Sequence, residues 1–303
     1  MPPRLDIVIV NWNSGDRLRR NLESLRAGGD LAGVEIFVVD NASDDGSAEG
    51  AEGPGTRLVR LPRNAGFAAG CNRGAREGSA PLLLFLNPDI VHPPGNLRAL
   101  LDGFSAPGDA DGACGVLVGP DGRPPERFQF RRLPTRTWAL AELLLPPVIR
   151  RHTRTFRRHF CLDLDVAAPV AVEQPAAACW MLRRDVFEAA GGFDERFHPA
   201  WFEDVDLAAR LHDRGSRTVR VPGARFVHEG GYSATALGEG PFARHYWTNA
   251  LRFYRKRYPV FGWFYRCLFP AGMLWRCLGS LCAPPARAAF ARLFLRSLAP
   301  GMK

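Results

Sequence analysis

Residues 5–86 alternate short apolar runs with amphipathic stretches, a pattern that restricts the chain to an α/β fold with a mostly parallel sheet flanked by helices. Leu5-Asp6-Ile7-Val8-Ile9-Val10 predicts a buried strand, Asp16 to Leu25 a helix, and Val34-Glu35-Ile36-Phe37-Val38-Val39 the next strand. A third strand is expected at Thr56 to Leu61, a second helix at Ala65 to Glu77, and a fourth strand at Pro81 to Leu86. Ligands of such sheets bind at the carboxyl ends of the strands. Here every exit is polar: Asn11-Trp12-Asn13, Asp40-Asn41, Arg63-Asn64 and Asn87-Pro88-Asp89. Together they would make a nucleotide pocket. Ionised Asp40 is suited to accept a base N–H, Asn11, Asn13 and Asn64 to meet base or ribose, and Arg63 to meet phosphate. Asp and Asn also begin turns after strands, so each has a structural explanation taken singly. Four on one rim point to a ligand.

A further cluster of acids runs through Gly192-Phe193-Asp194-Glu195-Arg196-Phe197 into Phe202-Glu203-Asp204-Val205-Asp206-Leu207. Val205, Leu207, Ala208 and Leu211 recur at helical spacing and Gly215 stops the pattern, so Glu203 and Asp204 fall in or just before a first turn. Carboxylates there suit a catalytic base, and equally suit capping and the helix dipole. Asp89 presents a hard oxygen ligand at a strand end, and His228 closes another short strand beside glycines. Together they would suit manganese or magnesium on a diphosphate. Asn41 to Glu52 imitates a calcium loop but lacks the first Asp and follows a strand, not a helix. Gly66, Gly70 and Gly74 differ from a dinucleotide fingerprint and let a helix approach the sheet or a ligand closely.

A chain of 303 residues with 46% hydrophobic and 23% charged residues has an ordinary globular composition, not a disordered one, and its net charge of +9 implies an anionic partner. Seven cysteines without a CxxC pair suggest neither zinc nor a disulfide framework, and the start shows no leader, so a cytoplasmic protein is expected. Nucleic acid finds no supporting motif. The segment Arg127 to Phe160 joins Trp138 to Leu145 to a basic run, and Val260 to Ala283 is aromatic-rich behind Arg252, Arg255, Lys256 and Arg257. Both suit docking on an anionic membrane surface, and a solvated basic face or an oligomer contact also fits them. Arg266, Arg276 and Pro270 interrupt the second run and favour helices lying in the interface over a spanning one.

Val38 to Ser47, Asn64 to Gly74, Leu86-Asn87-Pro88-Asp89, Gly192 to Phe197, Glu203 to Leu207 and His228 to Ser233 resemble, in order, the inverting family 2 glycosyltransferases of GT-A fold, in their rhamnosyltransferase-like branch. The resemblance implies a GT-A domain over 1–235, with an acceptor- or membrane-facing insert near 123–170, and a helical membrane-docking region over 236–303. It implies a donor site lined by Asn11, Asn13, Asp40, Asn41, Arg63, Asn64, Gly66 and Asn87, with Asp40 reading the base. Asp89 would hold Mn2+ or Mg2+ as the surviving acid of a DxD-type motif whose first acid is Asn87, with His228 as second ligand. Asp204 would be the general base, with Glu203 in reserve. The donor would be a dTDP-sugar or UDP-sugar, rhamnose foremost, and the acceptor a lipid-linked or glycan hydroxyl at the inner leaflet. Phe197 to Phe202 and Glu173 to Cys179 depart from the family's usual pattern. A nucleotidyltransferase and a silent nucleotide-sugar-binding subunit are the competing readings; the first expects a lysine-bearing phosphate loop that the first strand lacks.

Overall fold

A parallel strand covered on both faces has no polar side, and all seven residues of the first strand, β1 (Leu5–Asn11), are buried. The computed structural model describes residues 4–29, 31–104, 110–123, 130–165, 167–230, 237–278 and 284–298. Gly231 to Ser233, Cys282 and 124–129 of the expected insert lie outside them. In chain order β1 is followed by α1 (Arg17–Ala27), β2 (Val34–Asp40), β3 (Thr56–Arg60), α2 (Phe67–Glu77), β4 (Leu82–Leu86), β5 (Ile90–Val91), α3 (Asn96–Phe104) and β6 (Gly112–Val118). Next come β7 (Phe130–Arg131), α4 (Arg136–Leu144), α5 (Pro147–Arg150), α6 (Arg154–His159), β8 (Val170–Val172), β9 (Gln174–Pro175), β10 (Cys179–Arg183) and α7 (Arg184–Ala189). The chain continues through α8 (Glu203–Asp213), β11 (Thr218–His228), α9 (Glu239–Arg257), α10 (Pro259–Leu278) and α11 (Pro284–Leu298).

Two compact units emerge. The first takes Met1–Arg132, Leu164–Pro199 and Glu203–Gly230; the second takes Leu133–Asp163, Ala200–Phe202 and Gly231–Lys303. In the first, the strand order is β3-β2-β1-β4-β10-β6-β11-β5, with β8 beside β11. β3, β2, β1 and β4 are mutually parallel, and β10 runs antiparallel to both β4 and β6. Register sets Asn11 opposite Asp40, so the polar exits of β1 and β2 share one rim. Leu5, Ile7 and Ile9 join Leu18, Leu22 and Leu25 of α1 in one apolar core. On the other face α2 lies almost on the backbone of the sheet: a Cβ at Gly70 would stand 2.7 Å from Val10, and one at Gly74 2.4 Å from Val8. That contact accounts for two of the three spaced glycines.

The second unit is helical. α4 packs on α10, and α9, α10 and α11 pack on one another. Trp138, Phe156 and Phe160 cluster between α4 and α6, and Tyr254 and Tyr265 stack centroid to centroid at 4.9 Å between α9 and α10. Buried Glu142 accepts from Tyr246 Oη at 2.6 Å, while Arg150 and Arg276 donate to its backbone carbonyl. The Arg276 guanidinium also covers the Trp247 ring at 4.3 Å. Arg276, which interrupts the aromatic-rich run of the sequence, thus points into the unit, onto the Glu142 carbonyl and the Trp247 ring. No described helix is long and apolar enough to cross a membrane.

Candidate active site

Asn11 organises the rim. Its Nδ2 donates to Asp40 Oδ1, Ser43 Oγ and Ser47 Oγ at 2.9 to 3.1 Å, and its Oδ1 accepts from Ser14. Expected to touch the nucleotide, Asn11 instead has both polar atoms engaged inside the protein and is fully buried, which makes it a positioning residue. Asn13 lies in the left-handed region at φ 48° and its Oδ1 accepts the Asp44 N–H, while Asp45 accepts from Gly15 and Ser47. Loop 41–47 is thereby stitched to the end of β1. Asn41 Oδ1 accepts the Ala65 N–H and Asn64 Oδ1 the Gly66 N–H, so both hold the turn into α2. Gly66, at φ 92°, has His198 and the Pro199 carbonyl where a Cβ would go, 2.9 and 3.0 Å away. Its need for glycine is met by the protein itself. Arg63 stands exposed.

Asp40 keeps a spare acceptor. Its Oδ1 takes Ser43 Oγ at 2.6 Å as well as Asn11, whereas Oδ2 has only Arg60 at 3.5 Å.

Asp89 and His228, remote in sequence, meet because β5 pairs with the end of β11, setting His228 opposite Ile90. Asn21 of α1 donates to the carbonyls of Asn87 and Ile90 and fixes the loop between them. His228 Nε2 stands 3.3 Å from Asp89 Oδ1, a close contact rather than an aligned hydrogen bond, since that oxygen is buried with no donor aimed at it. Burial opposes ionisation of Asp89, but the imidazole and the Gly230 N–H outweigh it and hold the carboxyl below its usual range. An ionised oxygen lacking a donor, next to an imidazole, suits a hard divalent cation. Among the described residues no group of three or more His, Cys, Asp or Glu gathers as a metal site. Two protein ligands are what such an ion needs when phosphate oxygens complete its shell. Next to His228, Glu229 pairs with Arg17 at 3.1 Å and with Arg20, tying this strand end to α1.

Glu203 and Asp204 open α8 as expected, and they face different surroundings. Asp204 accepts from Gln174 Nε2 at 3.1 Å and from the Val205 N–H at 2.8 Å, with Arg131 3.9 Å away. Burial raises its carboxyl, and Arg131 pulls the other way. Glu203 is buried with Oε2 unpartnered; burial first and the Asp204 charge second push it well above the ordinary carboxylate range. Four residues after Gln174, the Ala178 carbonyl accepts the Asn87 N–H at 3.0 Å, so the approach to β10 bonds Asp204 through Gln174 and the Asn87-Pro88-Asp89 loop through residue 178.

Four features lie beyond the sequence reading. Gln174 and Arg131 face each other across the β7–β9 ladder, which is two residues long and shows no periodicity. Trp201 and Phe202 take φ of 73° and 74° immediately before Glu203, a backbone strain that concentrates at functional sites. Within the second unit Asn249 donates to the carbonyls of Ala200 and Trp201. The departure of 173–179 and 197–202 from the usual pattern was the available signal for Gln174, Trp201 and Phe202, and there was none for Arg131 or Asn249.

Residues 6–191 match the sequence model of glycosyl transferase family 2. The chain is a family 2 glycosyltransferase. It is 30% identical over 297 residues to an N-acetylglucosaminyl-diphospho-decaprenol L-rhamnosyltransferase of Mycobacterium tuberculosis, covering 91% of this chain and 90% of that one. Its fold is that of the GT-A glycosyltransferases. The mannosyltransferase PcManGT of Pyrobaculum calidifontis, solved with GDP-Man and Mn2+, superposes with a TM-score of 0.55 at 16% identity, over 100% of this chain and 82% of that one. GalNAc-T7, solved with UDP, GalNAc and Mn2+, gives 0.61 at 16% identity over 97% and 54%.

Proposed function

We propose that this glycosyltransferase moves a sugar, rhamnose foremost, from dTDP or UDP to a hydroxyl of a lipid-linked or glycan acceptor, with inversion, in cell-surface polysaccharide assembly at the cytoplasmic leaflet. The similarity to the mycobacterial rhamnosyltransferase along nearly the whole chain supports the sugar and the lipid-linked acceptor. Catalysis belongs to the first unit. Asp40 Oδ2 accepts a base N–H, Asn64 and Gly66 shape the wall beside it, and Asn11 keeps Asp40 in place through Oδ1. Asp89 and His228 would hold Mn2+ or Mg2+, whose positive charge would be available to the departing diphosphate. Asp204 takes the acceptor proton as the acceptor oxygen bonds to the anomeric carbon and the bond from that carbon to the diphosphate oxygen breaks. The electron pair of the broken bond leaves on the nucleotide.

The observation carrying this reading is the approach to β10, where the Gln174 side chain bonds the buried Asp204 carboxylate and the Ala178 carbonyl bonds Asn87, two residues before the Asp89 that meets His228. Asp204→Asn is expected to abolish transfer while donor affinity, read by thermal shift with nucleotide sugars and Mn2+, stays within a few fold. Glu203→Gln, which keeps the size of the side chain and removes its ability to ionise, is expected to retain transfer. Collapse of donor binding in the first variant, or transfer surviving in it, would refute the assignment.

A further inference from the structure

All large apolar side chains that stand exposed among the described residues belong to the second unit, and six of them lie on α10: Val260, Trp263, Phe264, Leu274, Trp275 and Leu278. Positions 260, 264, 267, 271, 274 and 278 step by four and three, a single outward stripe about 27 Å long that carries no charge. The inward face is already occupied, with Tyr265, Phe269 and Met273 fully buried and Arg276 turned onto Glu142 and Trp247. Leu143 sits against Gly272, which brings exposed Leu144 to the same end of the helix as Leu274. Charge follows the same division. Residues 240–303 hold 11 Lys and Arg and no Asp or Glu, leaving 29 basic against 31 acidic residues in the rest of the chain.

We propose that α10 is an in-plane anchor that lies along an anionic phospholipid bilayer. Trp263, Phe264 and Trp275 enter the boundary between head groups and acyl chains, and Arg255, Lys256 and Arg257 at the end of α9 meet the lipid phosphates. A helix with one face packed against α4, α9 and α11 has only its other face to offer lipid, so it lies flat. Nucleic acid would use the arginines but not an uncharged aromatic stripe. The inference deepens the lipid-linked acceptor proposed above and rests on that reading for its purpose, though not for its surface chemistry.

The test mixes the full chain with vesicles of phosphatidylcholine and phosphatidylglycerol at about three to one, and with phosphatidylcholine alone, at low salt. Wild type is expected to sediment with the anionic vesicles at least about tenfold more strongly, and brominated lipid is expected to quench its tryptophan fluorescence. The triple variant Trp263→Ser, Phe264→Ser, Trp275→Ser changes exposed side chains only; with an unchanged circular dichroism spectrum it is expected to lose about tenfold or more of that binding. Equal binding by variant and wild type, indifference to lipid charge, or a concentration-dependent dimer that the triple variant abolishes would overturn the anchor. Transfer to a water-soluble acceptor analogue is measured in parallel and is expected to be unchanged in the variant. Vesicle binding without transfer in either protein would count against the proposed function and leave the anchor standing.

Discussion

Asp204 and Glu203 are chemically alike and adjacent, yet they meet different neighbours. Glu203 faces desolvation without a donor for Oε2, which pushes its carboxyl well above the ordinary range; Asp204 meets the Val205 N–H, the Gln174 amide and, 3.9 Å away, the Arg131 guanidinium, each of which favours a charge. Arg131 opposes the upward push of burial on Asp204. Arg131→Ala is therefore expected to raise that carboxyl further, and because a base must be ionised to act, the acid limb of the pH–rate profile moves to higher pH. A profile that stays in place, measured with saturating donor, would separate Arg131 from the base. Asn11 shows the limit of reading single residues. An Asn at a strand exit announces hydrogen-bonding capacity, but only the fold reveals that Ser14, Ser43, Ser47 and Asp40 consume it.

The elements differ in how plainly the sequence announces them. β1, β2, β4, α1 and α2 fall within two residues of their expected bounds, because strands buried on both faces are continuous apolar runs and the helices between them keep a 3.6-residue stripe. β6, reading Gly112-Ala-Cys-Gly-Val-Leu-Val118, is half small residues and gives no such signal, although all of it is buried. β5, β7 and β9 are two residues long and have no period at all, yet β5 delivers His228 to Asp89 and β9 delivers Gln174 to Asp204. At α2 two effects of opposite sign compete. Alanine is a better helix former than glycine by about 1 kcal/mol, whereas a Cβ at Gly74 would lie 2.4 Å from Val8 and 3.1 Å from Val39. Overpacking of that kind costs about 1–3 kcal/mol, so Gly74→Ala is expected to lower the urea midpoint, and a rise would show that α2 can lift off the sheet.

For the molecule as a whole, acid sensitivity has an identifiable source in one buried imidazole. His92 is buried against Phe226 with neither ring nitrogen hydrogen-bonded, and burial pushes its pKa from 6.5 down to about 4. Between those values the unfolded chain binds a proton that the folded one refuses, so stability falls as pH drops, by up to about 3 kcal/mol. His92→Gln is expected to flatten the stability profile between pH 6.5 and about 4, and a profile as steep as wild type would shift the cause elsewhere. β10 has a different kind of consequence. Running against β4, it starts where β4 stops, and the bond from its approach to Asn87 is made by the main-chain carbonyl of Ala178. Ala177 and Ala178 are themselves buried, Ala178 in the same apolar core as β1 and α1, so a bulkier side chain at either would have to shoulder aside the strands that the approach joins.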